Sequence, residues 1–174
     1  MQKNMRETEG FFEMNDKNNK TLCFTGHREI ENNSPETIAH VLNQTVRILI
    51  SHGARRFLTG GALGFDTMAA LCVLEQKKEF PDITLELILP CKNQAKRWND
   101  FDRSLYDSIL GRADRVIYLH ELYNSTCMHD RNRRLVDEGD ICVAFLEHSG
   151  GGTAYTVAYA LKQGKEVINI AELM

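Results

Sequence analysis

The sequence lacks a hydrophobic run long enough to cross a membrane. The longest run, Met68–Leu74, is far shorter than the roughly 18 residues of a spanning helix, and residues 1–20 lack the apolar core of a signal peptide. The five cysteines include no CxxC pair, which is typical of free thiols in a reducing compartment. Cys127, His129 and Asp130 lie close together but have no partner cluster, so we expect no metal site. These absences predict a cytoplasmic protein without membrane contact.

The sequence also lacks an excess of positive charge. It has 21 Lys and Arg against 24 Asp and Glu, a net charge of -3, whereas a dedicated nucleic-acid binder is usually strongly basic. One tight basic group, Arg131, Arg133 and Arg134, is flanked by Asp130 and Asp137, with which these arginines could simply pair. The charge balance argues against tight non-specific nucleic-acid binding and leaves room for a small anionic ligand held locally.

The length and composition indicate one folded domain. A chain of 174 residues fits a single domain of about 150 residues with a short addition. Its 43% hydrophobic and 26% charged residues are ordinary globular values, which exclude a disordered or fibrous chain. Residues 1–20 are mostly polar, apart from Phe11, Phe12 and Met14. We therefore expect an N-terminal extension over 1–20 and a single domain over 21–174.

Short apolar runs alternate with helix-length segments along this domain. Ser34 is the expected N-cap of the first helix, with Pro35 at its first position. The predicted strands are 21–25, 56–58, 84–89, 115–119, 141–146 and 167–170, and the predicted helices are 35 to near 53, 64–76, 95–110, 128–138 and 153–163. Such alternation predicts a doubly wound α/β fold, with a mostly parallel sheet covered by helices on both faces.

Glycines are few but clustered after three of the predicted strands. Seven of the 12 are Gly26, then Gly60, Gly61 and Gly64, then Gly150, Gly151 and Gly152. Ligands bind at the carboxyl ends of strands in such sheets, and a glycine-rich turn that opens a helix favours phosphate. The clusters therefore predict one phosphate-binding cleft; the alternative is three structural turns. Neither a GxGxxG fingerprint nor a Walker A loop is present, so NAD binding and ATP hydrolysis are not the leading hypotheses.

Several motifs occur in an order that resembles the SLOG superfamily, which joins the DNA-processing protein A domain and the lonely-guy phosphoribohydrolases. They are Gly-Gly-Ala-Leu-Gly-Phe-Asp at 60–66, Arg131-Asn132, Gly151-Gly152-Thr153 and Gly164-Lys165. Gly26-His27-Arg28, together with Trp98 in the predicted third helix, is similar to the YpsA-like branch. The resemblance covers about residues 21–171 and implies a Rossmann-like fold with a nucleotide-type ligand in the cleft.

The resemblance also implies a set of ligand-binding residues. Asp66 would take a ribose hydroxyl or, alternatively, steady its own loop, and Arg131 would contact the phosphate. Arg28 is a candidate phosphate clamp, whereas His27 either contacts the ligand or caps its loop. The full predicted set is Gly26, His27, Arg28, Gly60, Gly61, Gly64, Asp66, Arg131, Asn132, Gly151, Gly152 and Thr153.

One departure from the superfamily bears on catalysis. Tyr155 and Thr156 stand where the lonely-guy enzymes carry glutamates, so the carboxylate that supports N-glycosidic cleavage is missing. The leading hypothesis is a sensor or adaptor that binds a nucleotide or a nucleotide-derived ligand and needs no cofactor. The alternatives are a nucleoside-monophosphate phosphoribohydrolase that relies on Asp66, and a single-stranded DNA-binding protein. Relatives often dimerise, so a homodimer is a further expectation, and the sequence leaves open whether any reaction is catalysed.

Overall fold

Strands and helices alternate without exception along residues 19–174, which the computed structural model describes. The predicted extension, 1–20, lies outside these residues except for its last two, and the first strand already begins at Lys20. The strands are β1 (Lys20–Gly26), β2 (Ala54–Thr59), β3 (Thr84–Cys91), β4 (Arg115–His120), β5 (Ile141–Phe145) and β6 (Glu166–Asn169). The helices are α1 (Pro35–Ser51), α2 (Phe65–Gln76), α3 (Asp100–Arg112), α4 (Cys127–Glu138) and α5 (Gly151–Lys162), with a 3₁₀ turn at Ile170–Leu173.

The six strands form one sheet in the order β4-β3-β2-β1-β5-β6. Every neighbouring pair is parallel, so the sheet is fully rather than mostly parallel. The chain builds outward from β1 to β4 and then crosses back to place β5 on the other side of β1. The predicted Rossmann-like, doubly wound fold is confirmed, and its strand order reverses between β1 and β5, where such folds bind their ligands.

Helices cover both faces of the sheet. One face carries α1, α2 and α3, whose apolar residues share a core with alternate strand residues such as Phe24 and Phe57. The other face carries α4 and α5, which pack against the strand residues between them, such as Cys23, Leu58 and Ile88. Burial on both faces matches the sequences of these strands, since β5 is a continuous apolar run, β3 is mostly apolar and the three central residues of β1 are apolar.

Helix beginnings account for the main differences from the predicted elements. Ser34 caps α1 as predicted, because its hydroxyl accepts the Thr37 N–H at 3.1 Å. The third helix begins at Asp100 rather than at residue 95, because the Asn99 side chain accepts the Asp102 N–H at 2.8 Å and starts the helix there. Trp98 consequently lies in the turns before α3 and not inside it.

Two features are absent from the part of the chain that the structure describes, a helix able to span a membrane and a cluster of metal-binding side chains. No helix within residues 19–174 combines the length and the apolar character needed to cross a bilayer. The same residues contain no cluster of three or more His, Cys, Asp or Glu side chains that could hold a metal ion. All five cysteines are free thiols.

Candidate functional site

A cavity of about 260 Å³ opens at the carboxyl ends of β1 and β5, between α2, α4 and α5. Eight of the twelve predicted site residues line it: Gly26, His27, Arg28, Asp66, Arg131, Asn132, Gly152 and Thr153. The other four, Gly60, Gly61, Gly64 and Gly151, lie in the loops beside the cavity rather than on its wall. Five further lining residues could not be predicted from the sequence, because nothing in their residue types indicates a ligand: Phe24, Thr25, Ala62, Met128 and Leu135.

Asp66 and Arg131 form a buried ion pair at this cavity. The Asp66 carboxylate lies 3.7 Å from Arg131 Nη1 and accepts the Ala62 N–H at 3.2 Å. Burial raises the pKa of Asp66, whereas the Arg131 charge and the loop N–H groups act in the opposite direction. The Arg131 guanidinium also donates to the Gly60 carbonyl at 2.7 Å. The pair therefore joins the β2–α2 loop to α4, and Asp66 steadies its own loop, one of the two roles considered for it.

Three of the predicted glycines are places where two segments of the chain pack closely. A Cβ on Gly60 would lie 1.9 Å from Arg131 Nη1, and one on Gly26 would lie 2.4 Å from Phe65. At Gly64, whose φ is +76°, a Cβ would lie 2.3 Å from the Arg28 carbonyl oxygen. These glycines have a structural role whether or not a ligand approaches them.

The β5–α5 loop, in contrast, leaves space beside its glycines. A Cβ on Gly151 would meet no atom within 4 Å, and one on Gly152 would have Asn132 Nδ2, 3.7 Å away, as its nearest neighbour. Gly150 is the N-cap of α5, and no side chain caps the helix. The N–H groups of the first turn and the positive end of the helix dipole therefore face open space at the cavity, an arrangement that favours an anion.

Three further side chains offer donors at the cavity. Arg28 is exposed, and within residues 19–174 it forms no hydrogen bond or ion pair. Its charge nevertheless reaches the buried pair, since it lowers the pKa of both Asp66 and Arg131. Asn132 accepts the Arg131 Nε–H at 2.7 Å through Oδ1, which leaves its amide nitrogen without a partner in the described region, and the Thr153 hydroxyl also has none there. The cavity thus combines one uncompensated cation with several neutral donors.

The three arginines that lie close together in the sequence, Arg131, Arg133 and Arg134, have different partners in the structure. Arg131 faces the cavity, whereas Arg133 donates from Nε to the Tyr155 hydroxyl at 2.8 Å on the outer side of α4. Arg134 pairs with Glu138 one turn further along the same helix. The alternative considered for these arginines, pairing with Asp130 and Asp137, does not occur as a direct ion pair among the described residues, because other partners lie closer in space.

His27 connects the β5–α5 loop to α2. Its Nε2 accepts the Glu147 N–H at 3.1 Å, its carbonyl accepts the Phe65 N–H at 3.1 Å, and its ring stacks on His148 with 3.9 Å between centroids. Burial lowers the pKa of His27, His148 lowers it further, and Glu147 opposes the shift. His27 therefore has a capping role in the structure, but on the β5–α5 loop rather than on its own loop, through partners that the sequence spacing did not indicate.

The sequence matches the model of one protein family and several bacterial relatives. The YspA SLOG family model matches residues 22–172. The SPbeta prophage-derived protein YoqJ of Bacillus subtilis is 34% identical over 119 residues, which cover 62% of this chain and 70% of that one. A UPF0398 protein of Bacillus cereus is 27% identical over 156 residues, which cover 84% of this chain and 85% of its own length.

Solved structures with the same fold are more distant in sequence. The DNA processing protein A of Streptococcus pneumoniae aligns with a TM-score of 0.64 at 15% identity, covering 87% of this chain and 50% of that one. The Helicobacter pylori protein, whose single-stranded DNA binding mode is described, aligns with a TM-score of 0.60 at 19% identity, over 85% of this chain and 63% of that one. A molybdenum cofactor carrier protein from Chlamydomonas reinhardtii aligns with a TM-score of 0.51 at 22% identity, over 86% and 74% of the two chains. At these identities the likeness concerns the fold alone.

Proposed function

The chain belongs to the YspA SLOG family, and we propose that it binds a nucleotide or a nucleotide-derived ligand and acts as a sensor or adaptor. The observation that carries the proposal is the uncapped amino terminus of α5 at the point where the strand order reverses. Anions are favoured at such a helix end by about 0.3–1 kcal/mol from the dipole alone, and direct N–H hydrogen bonds add to this. The phosphate of the ligand would lie there.

The donors around this position suit a phosphate group. Gly151, Gly152 and Thr153 supply backbone N–H groups, and Gly152 and Thr153 line the cavity. Arg28 supplies the positive charge, because the charge of Arg131 is already compensated by Asp66. A charge-assisted hydrogen bond from Arg28 to a phosphate oxygen is about twice as strong as a bond between neutral groups. Arg28 is therefore the side chain whose loss should weaken binding most without harming the fold.

The site supports binding better than hydrolysis. The phosphoribohydrolase alternative needs a carboxylate free to act on the ligand, and Asp66 is buried and already bound to Ala62 and Arg131. The Tyr155 hydroxyl, at a position where the lonely-guy enzymes have a glutamate, accepts from Arg133 on the outer side of α4. Single-stranded DNA binding has the fold likeness to DNA processing protein A in its favour, but the net charge of -3 is unfavourable to it.

Thermal-shift and calorimetric titrations with mononucleotides, dinucleotides and ADP-ribose test the proposal. We expect saturable stabilisation by at least one of these ligands, because binding to the folded state alone raises its stability. Arg28→Ala should lower the affinity about tenfold or more, as expected for a lost hydrogen bond to a charged group. Arg112→Ala removes an exposed arginine at the far end of α3 and is the matched control. The absence of stabilisation by every ligand would contradict the proposal, as would equal losses in the two variants.

A further inference from the structure

The cavity that would hold the phosphate is too small for a whole nucleotide. Its volume of about 260 Å³ lies below the roughly 300–1,000 Å³ of pockets that enclose small organic ligands. A ligand with its phosphate at α5 must therefore extend beyond this cavity. The neighbouring surface on the side of β3 and β4 holds a larger groove of about 630 Å³.

The composition of this groove differs from that of the cavity. Its walls include two aromatic rings, a leucine, a methionine and two cations, namely Trp98, Tyr123, Leu122, Met128, Lys96 and Arg97, and they include no acidic side chain. Leu122 and Tyr123 are 67% and 63% exposed, which is unusual for large apolar side chains. Lys96 and Arg97 form no ion pair with any residue of the described range 19–174, whereas the nearby Lys92 pairs with Glu121 at 2.8 Å. Aromatic rings beside unpaired cations suit a planar heterocycle, which can stack on the rings and form cation–π contacts with the cations.

The groove and the cavity are neighbours that share one lining residue. Met128, on the first turn of α4, lines both, and its sulfur lies 3.9 Å from Arg131 Nη2. The turn that carries Trp98 is fixed to the β2–α2 loop, because Gln94 Nε2 donates to the Gly61 carbonyl at 2.9 Å. It is also fixed to the loop after β4, because the Tyr123 N–H donates to Asn93 Oδ1 at 2.9 Å. One ligand can therefore contact both places.

We infer that the groove lined by Trp98, Tyr123, Lys96 and Arg97 is the subsite for the nucleobase end of the ligand, with a base stacked on its aromatic rings and the two cations in cation–π contact with the face of the base. The inference rests on the proposed function, which places the phosphate at α5. The inferred ligand is a free mononucleotide rather than a nucleotide within a polymer. A nucleotide within single-stranded DNA offers the same chemistry, so the experiment must separate the two.

Trp98 is the only tryptophan of the chain and so provides a direct signal from the groove. The probes are ribose 5-phosphate, which has no base, and the four mononucleotides AMP, GMP, CMP and UMP. We expect at least one mononucleotide to bind with saturable quenching of Trp98 fluorescence and at least about fivefold more tightly than ribose 5-phosphate, as one stacked base provides. Ribose 5-phosphate should bind, as seen by calorimetry, without quenching.

Two variants test whether the groove residues bind the base. Tyr123→Ala, at an exposed side chain, and the double variant Lys96→Ala/Arg97→Ala should each weaken mononucleotide binding about fivefold or more and leave ribose 5-phosphate binding unchanged. Arg112→Ala/Lys162→Ala removes the same charges from the exposed carboxyl-terminal ends of α3 and α5 and is the matched control.

The outcomes separate the inference from the proposed function. If no phosphate compound binds at all, the proposed function fails and the subsite fails with it. If mononucleotides bind and Arg28→Ala weakens them, but neither groove variant does and Trp98 is not quenched, the proposed function stands and the subsite is wrong. Binding of a thymidine oligonucleotide without binding of any mononucleotide would overturn the free nucleotide as the source.

Discussion

The two glycine-rich loops beside the cavity have similar sequences and different physical surroundings. In the β2–α2 loop, the space beside Gly60 and Gly64 is filled by Arg131 and by the backbone of Arg28. In the β5–α5 loop, the space beside Gly151 is empty, and that beside Gly152 is bounded by Asn132 at ordinary contact distance. The absence of a side chain thus allows close packing in the first loop and leaves room for a ligand in the second.

This difference shows that close packing alone can require a glycine cluster after a strand. Neither α2 nor α5 has a side-chain cap, but the β2–α2 loop is tied down by the buried Asp66–Arg131 pair. The start of α2 is also closed by the His27 carbonyl, which accepts the Phe65 N–H at 3.1 Å. The first loop therefore supports the site and the second is the one we propose to bind phosphate. Substitutions in the first loop should affect stability, and those in the second should affect affinity.

Gly64→Ala should have the largest effect. Its φ of +76° is unfavourable to alanine, and the added Cβ would lie 2.3 Å from a backbone oxygen that cannot rotate away. We expect a loss of about 3 kcal/mol or more in the free energy of unfolding, measured by urea denaturation. Gly111→Ala is the control, because Gly111 lies in α3 with open space around it and should gain about 0.5–1 kcal/mol. Equal effects of the two substitutions would show that the loop tolerates a side chain.

Gly60→Ala should be the next most destabilising. The added methyl group would displace the Arg131 guanidinium, which loses its bond to the Gly60 carbonyl and its approach to the buried Asp66. We expect a loss of about 2 kcal/mol by urea denaturation, because a buried charge is left without its partner. A loss below about 0.5 kcal/mol would indicate that Arg131 moves without cost and does not hold the loop.

Gly152→Ala should reverse this pattern. The protein leaves space for the methyl group, so the free energy of unfolding should change by no more than about 0.5 kcal/mol. The methyl group would enter the proposed path of the phosphate, and we expect about tenfold weaker nucleotide binding by calorimetry, the equivalent of one lost hydrogen bond. Unchanged affinity, or a stability loss as large as that of Gly60→Ala, would remove the distinction between the loops.

His27 contacts both the β5–α5 loop and the start of α2. It should give the smallest effect, a dependence of the free energy of unfolding on pH. Its pKa is lowered in the folded protein, so between that pKa and its ordinary value near 6.5 the unfolded chain binds more protons. The stabilising contribution is therefore complete above about pH 6.5 and is lost as the pH falls through the folded-state pKa. His148→Asn removes the stacked ring and should raise the pKa of His27. NMR titration of the His27 imidazole measures its pKa in the unchanged protein and in the His148→Asn variant. A His27 pKa above 6.5 in the unchanged protein would contradict this account.

The sequence predicted the fold well because its signals are local. Alternating apolar runs, the Ser34-Pro35 cap and the glycines after strands depend on residues close together in the chain. The Asn99 cap was not predicted, because an asparagine within a polar segment can lie in a turn as easily as at a helix start. The third helix was therefore predicted to begin too early.

The partners within the site could not be predicted, because they depend on contacts between distant residues. Asp66 pairs with Arg131 and His27 contacts Glu147, over separations that no spacing rule covers. The different surroundings of Gly60 and Gly152 likewise arise from what α4 places beside each loop. Sequence motifs indicated the edge of the sheet that holds the cavity, and packing decides which loop remains open.

The most direct test of the central claim is an amide NMR titration of the protein with a mononucleotide, AMP for example. If the phosphate lies at the amino terminus of α5, the backbone N–H signals of Gly151, Gly152 and Thr153 should show the largest saturable shifts, with smaller shifts in the β2–α2 loop. Largest shifts at Gly60, Gly61 and Gly64, or no saturable shift at α5 with any of the four mononucleotides, would contradict it.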